Sequence, residues 1–288
     1  ILGFKYAQEG KKGAKRMIKD VLHASVDVGT SKICTLVGRL RGDATTEILG
    51  AGVVPSQGVA KGIIVNIAEA QQSIKMAVDE ASKSAGFPIK SAHVGSTGNN
   101  MEIFTRWGSV RSSYYNAPIS RDVLDRAMES AYPGELPPEK RVIHLIPQGY
   151  SVDGLKGVRN PIGMHALRLD VETLCIVGPA TSAQNLVRCV EGNGIEVQST
   201  IMAGMATADS VLSRDEKETG VILLEIGAGC TTISLFQQGI LWNAAVLPVG
   251  GFQFTTDLAV ALNAPYSVAE EAKVLHGRTT PEDAGDDR

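Results

Sequence analysis

Apolar positions in this chain form short continuous or alternating runs separated by glycine-bearing turns, and the order of the runs repeats. Val21 to Val28 is an apolar-rich run that ends at Asp27 and Gly29, and it reads as a strand. After the turn Gly29-Thr30-Ser31-Lys32, alternation through Ile33, Thr35 and Val37 predicts a second strand. Arg41-Gly42-Asp43 reads as a turn and Glu47 to Val54 as a third strand. From about Asn66 the period changes. Ile67, Ile74, Val78, Ala81 and Ala85 fall on one face of a 3.6-residue helix that Gly86 ends.

The same order returns later. Val221 to Ile226 is an apolar strand, Gly227-Ala228-Gly229 a turn, and Thr231 to Phe236 an alternating strand. Gln238-Gly239 turns the chain into a strand from Ile240 to Val249. After Gly250-Gly251 a helix follows, with Phe254, Leu258 and Leu262 near one face. Both units read β-β-β-α, with an acid just before the first turn: Asp27 in "DVGTSKICTLVG" and Glu225 in "EIGAGCTTISLF". This internal repeat carries the fold argument.

Between the repeats, residues 88–165 hold strand-like runs at Ala92–Ser96, Met101–Val110 and Arg141–Val152. They also hold a helix, Arg121–Ala131, capped by Ser120. This segment predicts a small inserted α+β module. "RLDVETLCIV" (168–177) is a further strand, and Thr181 with Gln184 predicts a capping box for a helix through Val190, closed near Gly192 and Gly194. Ile195–Met202 reads as a strand and Gly204–Leu212 as a helix. A last helix is expected to open on a capping box at Ser267 and Glu270 and to stop at Gly277. The predicted fold class is α/β, with duplicated β-β-β-α lobes. Residues 21–87 and 166–213 form the first lobe, 88–165 the insert, 214–265 the core of the second lobe and 266–288 the start of an incomplete last subdomain. Residues 1–20 are expected to be disordered or a non-native extension, with a natural start at Met17, and the acidic tail "RTTPEDAGDDR" to be disordered.

At 288 residues the chain has room for two domains with full cores. A net charge of −3 excludes the basic excess that a nucleic-acid binder uses to neutralise phosphates. Cys34, Cys175, Cys189 and Cys230 show no CxxC or Cys/His spacing and fit reduced thiols in a cytosolic protein. No apolar run approaches the ~20 residues of a membrane span. The five histidines form no ligand spacing, and no GxSxG or Cys/His arrangement points to covalent catalysis. GxGxxG is missing after any strand in a βαβ context, which leaves a dinucleotide fingerprint unsupported.

The two turns carry the candidate chemistry. Glycines let backbone N–H groups converge on an anion, because no Cβ blocks the approach. Two such turns on facing lobes can hold a polyphosphate from both sides. Asp27 and Glu225 stand where a Mg²⁺ ion, reached through water, bridges to phosphate oxygens. The binding set read from the sequence is Asp27, Gly29, Thr30, Ser31 and Lys32 on the first turn. On the second it is Glu225, Gly227, Ala228, Gly229, Cys230 and Thr231. The other reading makes both acids strand ends satisfied by backbone N–H groups; the duplication favours the clamp.

These residues resemble the actin-like (ribonuclease H-like) ATPase superfamily, in which duplicated lobes enclose ATP and Mg²⁺. Within it the chain resembles the FtsA family of bacterial cell-division proteins. "VDVGTSKICTLVG" is similar to that family's first phosphate motif and "PSQGVAKGIIVNI" to the segment after it. "RVIHLIPQGYSVDG" with "GVRNPIGM" is similar to the end of its inserted subdomain, 1C. "AGMATADSVL" resembles the segment before the second phosphate motif, and "PYSVAEEAKVLHG" the start of the last subdomain. The resemblance runs from about Val21 to Gly277.

It implies an ATP-binding scaffold that polymerises and recruits later division proteins through residues 88–165. It also implies binding of the tubulin-like FtsZ and anchoring to the inner membrane surface through a C-terminal helix. Its implied place is the cytoplasm, at the membrane of the division site when full length. Three departures follow. The family's second motif reads Asp-φ-Gly-Gly-Gly-Thr, with φ an apolar residue, and usually ends in a further Asp; here Glu225, Ala228, Cys230 and Thr232 take those places. Ala203-Gly204 stand where other superfamily members carry a water-orienting Gln or Glu, so any ATPase activity is expected to be slow. By the resemblance, the chain is expected to stop just inside the last subdomain, without the adenosine-contacting glycines, most of the FtsZ-binding surface and the membrane helix. A type IV pilus assembly protein similar to PilM, or a scaffold without nucleotide, are the alternatives.

Overall fold

The first β-β-β unit sets the frame of the molecule. In the computed structural model, which describes residues 21–41, 45–98, 100–111, 118–278 and 280, β1 (Val21–Val28) pairs antiparallel with β2 (Lys32–Leu40). β2 in turn pairs with β3 (Thr46–Pro55). Period-2 alternation buries Val26 and Val28 of β1 with Ile33, Thr35 and Val37 of β2 on one face. A short hairpin, β4 (Val59–Ala60) and β5 (Ile63–Ile64), comes before the helix and was not expected. Then α1 (Ile67–Ala85) starts at Asn66, whose side chain accepts from the Ala68 and Glu69 N–H groups. It ends at Gly86, which adopts φ 82°. Its buried face includes Ile74, Ala77, Val78 and Ala81, and it lies so close to β3 that a Cβ on Gly52 would come 2.1 Å from the Ala77 carbonyl oxygen.

β6 (Ser91–Ser96) runs parallel to β1, and β11 (Glu196–Met202) parallel to β6, giving the order β11-β6-β1-β2-β3. The run Ala92–Ser96 was expected in the insert. It belongs to the first sheet because Ala92 and Val94 fill the core beside Val26 and Ile74. The insert has its own antiparallel sheet, ordered β7 (Glu102–Arg111), β10 (Arg168–Pro179), β8 (Lys140–Val152) and β9 (Leu155–Val158). β10 was expected with the first lobe, yet it is paired along its length between β7 and β8. The helix α2 (Arg121–Ser130), capped by the Ser120 hydroxyl, covers one face of this sheet through Leu124 and Ala127.

α3 (Ala180–Glu191) follows β10 directly and makes no capping box at Thr181 and Gln184. α4 (Ala203–Val211) and the short α5 (Arg214–Thr219) lead to the second repeat. The capping box in this region is at Ser213 and Glu216, where the sequence reading had none. β12 (Val221–Ile226), β13 (Thr231–Gln237) and β14 (Ile240–Leu247) form the second antiparallel sheet. It is followed by α6 (Gly251–Ala261) and α7 (Tyr266–His276). The face expected to be buried on α6 is open: Phe254 and Leu262 are 65% and 56% exposed, and Thr255 is buried in their place. α7 lacks the expected box at Ser267 and Glu270, because the Glu270 carboxylate accepts from the Thr255 hydroxyl and from Lys273 Nζ at 2.7 Å.

The expected turn at Arg41-Gly42-Asp43, the extension 1–20 and the tail 281–288 lie wholly or partly outside the described residues. Among the described residues no helix is long and apolar enough to cross a membrane, and the four cysteines are unbridged.

Candidate functional site

The two acid-plus-glycine turns have matching backbones. β1 and β2 are joined by Gly29 to Lys32, with Asp27 opposite Cys34 and Val28 opposite Ile33. β12 and β13 are joined by Gly227 to Cys230, with Glu225 opposite Thr232 and Ile226 opposite Thr231. Each turn closes with the same bond: Gly29 N–H to the Lys32 carbonyl at 3.1 Å, and Gly227 N–H to the Cys230 carbonyl at 2.8 Å. Those two N–H groups are therefore engaged within the turns. On the second turn, the Gly227 and Ala228 carbonyls accept from Gly251 N–H (2.9 Å) and Phe252 N–H (2.8 Å) at the start of α6.

The turns meet face to face. A Cβ on Gly229 would lie 2.7 Å from Thr30 Oγ1 and 3.0 Å from Lys61 Cα, so only glycine allows this approach. Gly62 N–H donates to Thr30 Oγ1 at 3.1 Å, which brings the β4–β5 hairpin onto both turns. Ser31 and Lys32 are exposed at the rim. Thr231 was read as a donor to the site, but its hydroxyl donates to the Val249 carbonyl at 2.8 Å. Cys230 is buried, and burial raises its thiol pKa, with Lys61 opposing.

Glu225 sits close enough to Asp27 to feel its charge. Protein atoms crowd the Asp27 carboxyl although it keeps contact with water, and this desolvation raises its pKa, with Lys32 pulling the other way. Glu225 is half-buried. Desolvation raises its pKa, the Thr207 hydroxyl lowers it, and the Asp27 charge raises it again. The Thr207 hydroxyl donates to Glu225 Oε2 at 3.2 Å, from the middle of α4. The sequence reading missed Thr207 and the Lys61-Gly62 tip. "VAKGII" shows only a two-residue break in an apolar run, and Thr207 meets Glu225 through the tertiary fold.

This donor set suits a hydrated cation with a polyphosphate. Two carboxylates of like charge lie near enough for one to raise the other's pKa, beside a glycine that lets the turns touch, and no group of three or more metal-ligating side chains occurs among the described residues. Two protein carboxylates leave a Mg²⁺ ion to complete its shell with water and phosphate oxygens. Thr232 is buried with its hydroxyl oxygen unpartnered. Ala203 and Gly204 open α4 and bring no carboxylate to the cleft.

Paired β-β-β-α lobes with facing turns and an inserted α+β module define an actin-like protein. The fold matches a chain of a PilM–PilN type IV pilus biogenesis complex with a TM-score of 0.65 at 17% identity, over 90% of this chain and 70% of that one. It also matches the ethanolamine utilization protein EutJ from Carboxydothermus hydrogenoformans, with a TM-score of 0.52 at 15% identity, over 90% and 63% of the two chains.

Sequence comparison is more particular. Residues 98–177 match the model of the SHS2 domain inserted in FtsA, and residues 222–288 match the model of the cell division protein FtsA. The cell division protein FtsA of Pseudomonas aeruginosa is 39% identical over 251 residues, 87% of this chain and 60% of the relative. That of Bacillus subtilis is 38% identical over 271 residues, 94% and 61% of the two. The chain belongs to the FtsA family, and it spans about three-fifths of the length of these relatives.

Proposed function

We propose that the two turns hold Mg–ATP. The observation that carries this reading is the pair Asp27 and Glu225 on matching glycine turns: burial raises the proton affinity of both acids, and the Asp27 charge raises that of Glu225 further. A divalent cation relieves that repulsion. The N–H groups of Thr30, Ser31, Ala228 and Gly229, with Lys32, face the phosphates; Asp27 and Glu225 hold Mg²⁺ through water. Ala203 and Gly204 at the head of α4 offer no general base for the attacking water, which disfavours fast hydrolysis.

At the level of the cell, family membership supports an actin-like cell-division scaffold that polymerises in the cytoplasm, at the membrane of the division site. It links FtsZ filaments to that membrane and recruits later division proteins through the insert. A pilus role similar to that of PilM has only the fold likeness behind it, at 17% identity. A scaffold without nucleotide has a specific point in its favour: Glu225 and Ala228 are each one carbon larger than the family's Asp and Gly.

Calorimetry on the full-length protein tests the clamp. Mg–ATP binding that Asp27→Ala weakens at least tenfold is the expected result; no binding by wild type overturns it. A large gain in affinity from Glu225→Asp with Ala228→Gly would show that the present turn is impaired. Co-sedimentation with FtsZ tests the division role.

A further inference from the structure

The cleft is lined by a third element besides the two turns. β4 and β5 pair Val59 with Ile64 and Ala60 with Ile63, so Lys61 and Gly62 alone form the turn. Both have left-handed backbones, with φ of +48° and +71°. A two-residue hairpin asks for that geometry at both positions, and glycine or asparagine meets it with less strain than lysine. Lysine here holds a strained backbone conformation, and strain of this kind gathers at ligand clamps.

The tip is fastened to both jaws. Gly62 N–H reaches Thr30 Oγ1 at 3.1 Å, and Thr30 keeps its hydroxyl proton free to donate elsewhere. Lys61 Cα would be 3.0 Å from a Cβ on Gly229, and Cys230 Sγ would be 3.4 Å from a Cβ on Gly62. The Lys61 charge also reaches the second turn, where it opposes the rise of the Cys230 thiol pKa. That turn carries no cation of its own, whereas the first has Lys32. Asp27 and Glu225 would repel a triphosphate. Lys32 alone offsets one of the two charges, and Lys61 offsets the other.

We propose that Lys61 is a phosphate-binding residue of this cleft, presented by the β4–β5 hairpin as its third wall. The proposal rests on the Mg–ATP reading above and adds a residue to it. Because Gly62 is tied to Thr30, the wall moves with the first turn.

The test is calorimetry of Mg–ATP, and separately of Mg²⁺ with inorganic tripolyphosphate, on the full-length protein and its variants. Lys61→Met is expected to weaken Mg–ATP at least tenfold and tripolyphosphate by a similar factor, because the contact is to phosphate and not to adenosine. Lys61→Arg keeps the charge and should stay within threefold of wild type. Lys61→Gly relaxes the backbone and should weaken binding as much as Lys61→Met, which separates charge loss from a distorted hairpin. Thermal melts confirm that each variant folds. Wild-type affinity in Lys61→Met, with binding lost in Asp27→Ala, overturns the role of Lys61 and leaves the clamp standing. If wild type binds neither probe, the clamp reading falls and this inference with it.

Discussion

Asp27 and Glu225 work against the stability of the fold around them. Each carboxyl has a raised pKa in the folded chain, so folding favours its protonated form. The sign follows: their cost is absent at low pH, grows as pH rises through the ordinary carboxylate range and is complete above the folded pKa. Asp27→Asn is therefore expected to raise the melting temperature of the ligand-free protein at neutral pH while removing Mg–ATP binding. A melt and a titration on the same sample check both halves. His144 gives the opposite slope. Its Nε2 accepts from Met202 N–H at 3.0 Å, which puts the ring proton on Nδ1, and burial lowers its pKa from 6.5 to about 4. Below pH 6.5 the unfolded chain takes up this proton and the folded chain does not, so stability falls between pH 6.5 and 4, by about 3 kcal/mol if the full shift is expressed. His144→Gln keeps an acceptor and removes the titration. Denaturation at pH 7 and 4.5 should show its acid loss to be smaller than that of wild type.

The elements that were legible from sequence are those whose local pattern and tertiary role agree. β1, β2, β12 and β13 alternate, end in glycine turns and bury the residues that the alternation selects. The capping boxes show the opposite case. Thr181 with Gln184 and Ser267 with Glu270 have the right spacing, but Pro179 and Pro265 already hold the extended backbone of an N-cap. The helices therefore begin at Ala180 and Tyr266, and the Thr and Ser fall inside the first turn. β6 and β10 fell on the wrong side of the expected boundaries because pairing partners are set by distant residues. In the site, both acids and both turns could be read from the repeat; the hairpin tip and Thr207 could not, since their contacts span 32 and 18 residues. The contact between turns makes Gly229 an exacting position. Gly229→Ala sets a methyl against Thr30 and the Lys61 backbone, and is expected to cost roughly 1–3 kcal/mol. Thr30→Ala in the same chain should recover part of that cost, and a double-mutant cycle by chemical denaturation measures the coupling.

Taken whole, the molecule is less modular than its duplicated pattern suggests, because the insert shares a core with the lobes it interrupts. Leu174 and Ile176 of β10 pack with Met202 and Ala208 of the first-lobe connection and with Phe236 and Leu241 of the second sheet. Gln148 on β8 adds a polar tie, donating to the Trp242 carbonyl at 2.9 Å and the Leu241 carbonyl at 3.4 Å. Arg159 and Glu218 add an exposed ion pair at 2.5 Å, which contributes little by itself. The apolar cluster joins the insert to both lobes through packed side chains, which is a physical route for coupling between them. Ile176 is fully buried there, and Ile176→Ala is expected to cost about 2–5 kcal/mol. If the shared core couples the modules, that substitution in the insert should lower hydrogen-exchange protection in β10 and β13 together, although β13 has no altered residue. Protection lost in β7, β8 and β10 alone, with β13 at its wild-type level, would show that the insert opens independently and that the junction transmits nothing.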